Sequence, residues 1–330
     1  MRITTGLIFA SAVALLTSTA AWSQKATPAA APQVTPQVTP QAAAKPAAPA
    51  AAAPVAAAPA PAAPVAEKTT CANPDALGVS RVVQIDTTGG PGFGFEHFKQ
   101  LDFLREKEVV LTFDDGPWPV NTPSVLKTLA DECTKGLFFP IGKHATYHPE
   151  ILKEVLAAGH TIGSHTWSHA TLTRKGVTDQ MAKDEIEKGI SAVAWALGTP
   201  PAPFFRFPAL QHPPAMVTYL GERNIGIFSC DLDSFDFKAS KPEQVINTVM
   251  TKLDKLGKGI ILMHDFQKHT AEALPTLLRR LKAGGYKVVQ IKAKGTLQTI
   301  PSYDEELLKE TKIPTVSTRP VSSVVQTISE

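Results

Sequence analysis

Apolar residues in this chain fall into short continuous runs, separated by longer stretches in which they recur at helical spacing. Val109-Val110-Leu111-Thr112-Phe113 is such a run, as expected for a strand covered on both faces. Residues 123–133 follow with Val125, Leu126 and Leu129 apolar, which predicts a helix. Further strands are predicted at 137–141, 160–164, 204–207, 225–230, 259–263 and 287–291. Helices are predicted at 149–158, 179–198, 216–222, 242–256 and 270–283. Pro149 suits the first turn of its helix and Gly159 ends it. This alternation predicts an α/β architecture around a parallel sheet. The chemistry-bearing side chains share one place in it. Asp114 and Asp115 follow the first strand and His165 the third. Arg206 ends the fourth, residues 231–236 follow the fifth, and His264 follows the sixth. A β/α barrel builds its site at those C-terminal strand ends, and so does an open doubly wound sheet. No Gly-rich phosphate loop follows the first strand, which argues against a nucleotide.

The termini read differently. Arg2 precedes an apolar run from Leu7 to Leu16, too short to span a bilayer comfortably, and Ala21 and Ser23 suit signal-peptidase cleavage. Residues 1–23 are therefore expected to be a signal peptide, and the mature protein to have no transmembrane segment. Residues 24–68 are Ala/Pro-rich and nearly uncharged, and repeat Gln-Val-Thr-Pro at Gln33 and Gln37. Such a segment cannot bury enough apolar surface to offset chain entropy. It is expected to be a disordered linker, a semi-rigid spacer that could associate the protein with the cell envelope, or simply a tolerated tail. Residues 69–300 suit one domain, and residues 301–330 are expected to be a flexible tail. The net charge of +3 gives no argument for nucleic acid. Export, periplasmic or secreted, permits a disulfide, and three cysteines leave one over. Cys133 precedes a strand, Cys230 lies at the far end of another, and Cys71 opens the folded region, so Cys71–Cys133 is the pairing favoured. A monomer is expected.

Two strings carry the chemistry, Thr112-Phe113-Asp114-Asp115-Gly116-Pro117 and His165-Thr166-Trp167-Ser168-His169. Adjacent strand residues point to opposite sides, so one carboxylate can bind a metal while the other handles a proton. His165 and His169 are four apart, which on a helical turn puts both imidazoles on one face. One carboxylate and two imidazoles make a three-ligand site with room for water, the usual arrangement of catalytic zinc. Each string alone is more often a turn or a solvated pair, and their combination is what points to a site.

With these strings in order, the chain resembles the NodB-homology polysaccharide deacetylases, carbohydrate esterase family four, over residues 107–291. The resemblance implies a distorted (β/α)7 barrel and a divalent metal, zinc most often and cobalt as an alternative. It implies a carbohydrate polymer or oligomer substrate, with N-acetylglucosamine polymers or acetylated xylan losing acetyl groups. It makes Asp114 the general base, and Asp115, His165 and His169 the metal ligands. Arg206 would hold Asp114, and His264 would be the general acid, supported by Asp236. The third motif, Arg206-Phe207-Pro208-Ala209-Leu210, departs from the family's Arg-Pro-Pro-Tyr-Gly. Ala209 would still offer its N–H to an oxyanion. Phe237 stands where the fourth motif has Trp. Leu262 and Phe237 would receive the acetyl methyl, and Trp118 could stack on a sugar or pack at the rim. His144, His148, His212 and His269 have no assigned role. The implied function is removal of N-acetyl groups from peptidoglycan, chitin-type or exopolysaccharide glycans. The alternatives are an O-acetyl xylan esterase and a non-catalytic glycan-binding envelope protein.

Overall fold

The computed structural model describes residues 71–310. The expected signal peptide, the whole of the expected Ala/Pro linker and the residues after 310 lie outside the described residues. In chain order the elements are β1 (Arg81–Ile85), β2 (Gly92–Phe93), β3 (Glu108–Asp114), α1 (Asn121–Asp131), β4 (Leu137–Phe139), α2 (Gly142–Tyr147), α3 (Pro149–Ala157) and β5 (Thr161–Ile162). Then come α4 (Asp179–Leu197), β6 (Phe204–Phe205), α5 (Pro214–Glu222), β7 (Gly226–Phe228), β8 (Leu232–Asp233), α6 (Pro242–Leu256), β9 (Gly259–His264), α7 (Lys268–Ala283), β10 (Lys287–Ala293) and α8 (Pro301–Glu310).

The strand pairs are parallel, as alternation with helices requires. β3 pairs with β4 on one side and β9 on the other, and β4 with β5. A single bridge from Ser164 to Phe205 carries the ring to β6, which pairs with β7. Beyond β7, Asp231 N donates to the Ile260 carbonyl at 3.0 Å and β8 pairs with β9. Seven strands, β3 to β9, thus follow one another around a distorted (β/α)7 barrel.

The period-two alternation of β3 aims the site. Val109, Leu111 and Phe113 pack outward against Val125 and Leu129 of α1, Leu253 of α6 and Leu274 and Leu277 of α7. Val110 packs inward with Leu137, Phe139, Phe204, Phe228 and Ile260. Thr112 and Asp114 share the parity of Val110, so they also face the interior, at the strand's C-terminal end. Among the helices, α4 is capped at both ends: Thr178 Oγ1 accepts from Met181 N, and Gly198 closes the helix at φ 73°.

Two departures from the sequence reading matter. The segment from residue 301, expected to be flexible, begins as helix α8 docked on α4. Tyr303 Oη donates to Asp184 Oδ1 at 2.7 Å, Lys188 Nζ lies 3.4 Å from Glu306 Oε1, and Leu307 is 1% exposed. Its polar composition hid one inward stripe, Tyr303 and Leu307, four residues apart. The sequence reading also placed no element at β1, β2, α2 or β8. Cys71 and Cys133 form the disulfide, tying the start of the described chain to the end of α1 across 62 residues, while Cys230 is buried and free.

Candidate active site

β3 ends on Asp114, and the next residue breaks the strand. Asp115 sits at φ 73°, which swings its carboxylate back toward the side Asp114 faces. The two carboxylates therefore converge instead of pointing apart, as strict strand alternation had predicted. His165 Nε2 lies 3.4 Å from Asp115 Oδ1 and 3.9 Å from Asp114 Oδ2.

The His165–His169 segment is not a helical turn either. Thr166 and His169 both have positive φ, 66° and 61°. The segment's backbone bonds outward: Gly142 N donates to Thr166 O, Lys143 N to Trp167 O, and Trp167 N to Glu185 O. Ser168 is held through its N and Oγ by the Glu185 carboxylate at 2.9 and 2.7 Å. The close approach of α4 requires Gly189, where a Cβ would stand 2.4 Å from Thr166 C. The imidazoles still meet, with ring centroids 5.0 Å apart and His169 Nε2 3.4 Å from Asp115 Oδ1. Left-handed backbone at non-glycine residues costs about 1–2 kcal/mol each and gathers at functional sites. Here it recurs at Asp115 and His169 of the cluster, at Thr166 between the two histidines, and at Ala209 and Leu210 of the cleft wall.

The donor set fits a divalent cation. His165 Nδ1 faces the Arg206 carbonyl at 2.6 Å. A carbonyl only accepts, so the proton sits on Nδ1 and Nε2 offers its lone pair. Burial pushes His165 down to about 3 and also lowers His169, so both rings are neutral. Asp115 Oδ1 is buried and has no hydrogen-bond partner among the described residues. Burial, opposed by His264 and reinforced by Asp114 and Asp236, raises Asp115 to about 7. A buried carboxylate oxygen facing two neutral imidazole nitrogens, all within 4.8 Å of one another, is what a bound cation would satisfy.

Two buried pairs flank the cluster. Arg206 is fully buried over the Phe139 ring. Its Nη1 donates to Asp114 Oδ1 and Thr112 Oγ1, each at 2.7 Å, Nη2 to Ser229 O at 2.8 Å and Nε to Phe228 O at 3.2 Å. Asp114 Oδ1 is thereby fixed, and Oδ2 is the oxygen turned to His165. On the other side His264 Nδ1 bonds Asp236 Oδ1 at 2.6 Å, and Asp236 Oδ2 accepts from His264 N at 2.7 Å and from Thr270 Oγ1. Burial by itself lowers His264, but the hydrogen bond and charge of Asp236, with help from Asp115 and Asp114, raise it to about 10. Asp236 moves the opposite way: burial raises it, and its bonds to His264 outweigh that. The pair is imidazolium and carboxylate, with His264 Nε2 3.9 Å from Asp115 Oδ2.

Asp114, Asp115, His165, His169 and His264 line a cleft of 390 Å³ together with Ala209, Leu210, Leu262 and Phe237. All of the sequence-derived candidates except Trp118 are in it or bonded directly to it. Trp118 stands at the rim, with its ring 5.1 Å from that of His144. Sequence reasoning missed His144, whose Nδ1 donates to the Asp115 carbonyl, along with Glu185 and Gly189. It also missed Asp265, which is fully buried and accepts from Gly116 N and Thr122 Oγ1. None of these lies in a motif, although a glycine in the middle of a long helix is itself a sign of close approach.

Comparison with known proteins gives the same answer. The polysaccharide deacetylase family model matches residues 103–225. The peptidoglycan-N-acetylglucosamine deacetylase PgdA of Listeria monocytogenes is 35% identical over 188 residues, 56% of this chain but only 38% of its own length. A peptidoglycan-N-acetylglucosamine deacetylase of Bacillus cereus is 31% identical over 195 residues, 57% of this chain and 87% of that protein. Among solved structures, a peptidoglycan deacetylase of Bdellovibrio bacteriovorus superposes with a TM-score of 0.58 at 33% identity, covering 65% of this chain and 59% of that one. With the motif residues brought together in one cleft, the chain belongs to the polysaccharide deacetylases, carbohydrate esterase family four.

Proposed function

We propose that this protein is an exported, metal-dependent hydrolase that removes N-acetyl groups from N-acetylglucosamine-containing glycans, peptidoglycan foremost. One observation carries the reading. The orphaned Asp115 Oδ1 lies 3.4 Å from the Nε2 of both His165 and His169, with the Asp114 carboxylate and the charged His264 on either side. A divalent ion held by Asp115, His165 and His169, zinc or alternatively cobalt, would supply carbonyl polarisation and a more acidic water.

The chain's own residues account for the proton movements. Asp114 Oδ2, aimed by the Arg206 bond to its partner oxygen, takes the proton of the attacking water. The Ala209 N–H, at the cleft wall, donates to the oxygen that becomes negative as the carbonyl is attacked, a contribution of about 3 kcal/mol for such a donor. The amine leaves only when protonated, and His264 carries that proton on Nε2 because Asp236 holds Nδ1. Leu262 and Phe237 bound the space for the acetyl methyl. The products are the free amino sugar and acetate.

The Cys71–Cys133 disulfide supports a periplasmic or secreted location, since such bonds persist in oxidising compartments. The proposed export route is the leader at residues 1–23, with the Ala/Pro segment as a tether and a monomer as the working unit. Acetate release from N-acetylglucosamine oligomers by the full chain tests the activity. Release from acetylated xylan alone would replace the reading with an O-acetyl esterase.

A further inference from the structure

The rim beside Asp115 carries large rings turned to solvent. Trp118 is 40% exposed and Tyr147 62%. Exposed rings of this size forgo burial worth about 25 cal/mol per Å², so a contiguous set calls for a reason. They form one surface: Trp118 lies 5.1 Å from His144 and 5.7 Å from His148, and His144 lies 6.4 Å from Tyr147. This surface is continuous with the reaction centre, because His144 Nδ1 donates to the carbonyl of Asp115 itself.

We propose that Trp118 and Tyr147 form a stacking platform for a sugar ring of the substrate chain, beside the sugar that loses its acetyl group. The inference rests on the deacetylase reading for the class of ligand. A pyranose presents C–H groups on its faces and hydroxyls around its edge. That shape suits aromatic faces bordered by groups that can hydrogen-bond, here His148 and the Tyr147 hydroxyl. The backbone that carries Trp118 is held in place before any sugar arrives. Pro117 and Pro119 flank Trp118 and fix their own φ angles. Trp118 N donates to Thr122 Oγ1 at 2.8 Å, and Thr122 Oγ1 donates to the buried Asp265 carboxylate at 2.5 Å. Little backbone freedom remains at Trp118 to be lost on stacking, which favours affinity.

A further exposed ring lines the cleft itself. Phe237 is 50% exposed and meets His264 edge-on at 5.7 Å. A glycan that reaches from the platform to the reaction centre would meet Phe237 as well. On this proposal Trp118 and Tyr147 read the sugar beyond the reacting one.

The test is calorimetric titration of N-acetylglucosamine pentamer into the full chain, in an Asp114→Asn background that blocks turnover. Trp118→Ala is expected to weaken pentamer binding about tenfold, and Trp118→Tyr to restore most of it. Tyr147→Ala, at a more exposed position, gives a second reading should Trp118→Ala fold poorly, and a smaller loss is expected. In the enzyme with Asp114 intact, Trp118→Ala should also lower the ratio of kcat/KM on pentamer to that on dimer. Pentamer affinity that is equal in parent and both alanine variants overturns the platform, and so does a parent that binds no pentamer. Should no oligomer release acetate from the wild type while pentamer still binds through Trp118, the deacetylase reading fails and the platform stands.

Discussion

Asp236→Asn tests the assignment of His264 most sharply, because it removes one charge and leaves the ligand set untouched. In the native protein burial alone would push His264 down, and the Asp236 hydrogen bond and charge reverse this and raise it to about 10. Against the ordinary 6.5, that gap corresponds to about 5 kcal/mol favouring the charged ring. Without Asp236 the two largest raising causes are gone while the burial penalty stays, so His264 should titrate lower and a larger share of it should be neutral at pH 7. A neutral ring cannot protonate the leaving amine, and losing a positioned acid costs about 10²–10⁴ in rate. The sign for stability is opposite to that of a buried neutral histidine. A raised pKa contributes stability that is full below pH 6.5 and is lost as pH rises toward 10, so Asp236→Asn should flatten that alkaline decline. The assay is an NMR titration of the His264 ring in chelator-treated protein, paired with the pH profile of acetate release in metal-loaded protein. A ring that titrates at the same pH in Asp236→Asn as in the wild type, or a variant that keeps the wild-type rate at neutral pH, refutes the reasoning.

Other predictions reach beyond the cleft. Leu307→Ala should cost about 2–4 kcal/mol, because the side chain is buried where α8 docks on α4, and an unchanged thermal midpoint would contradict that docking. Cys133→Ser opens the link to Cys71, and by the chain-entropy account should cost about 4 kcal/mol, read from the urea midpoint of the oxidised protein. His160 is buried and accepts from Gly136 N, and burial, with Lys135 and Lys292, pushes it down to about 3. The unfolded chain then binds the extra proton first, so stability is kept above pH 6.5 and declines from there toward pH 3. His160→Gln should make that acid decline shallower, and an identical pH dependence of unfolding would show that another group causes it.

The sequence revealed the order of strands and helices, because each buried strand is a short apolar run bounded by turn residues. It also revealed the residues of the cleft, because the motif residues fall at the C-terminal ends of five of the strands. It did not reveal how they converge. Asp115 and His165–His169 reach the common centre through left-handed backbone at Asp115, Thr166 and His169, which no apolar periodicity encodes. The supports of the cluster were hidden for another reason. His144, Glu185 and Asp265 act through bonds to backbone atoms far away in the chain, and nothing local marks them. Helix α8 was missed because one buried leucine, a tyrosine hydrogen bond and an ion pair in a polar segment are enough to dock it on α4.

The central claim is that Asp115, His165 and His169 hold a divalent ion while Asp114 handles the proton. Acetate release from N-acetylglucosamine pentamer by the full chain tests it directly, before and after chelation, with zinc or cobalt restored, and with Asp114→Asn in parallel. The account predicts release that disappears on chelation, returns with the ion, and is lost in Asp114→Asn although that variant still binds the metal. Equal release by chelated protein, or a wild-type rate in the Asp114→Asn variant, would contradict it.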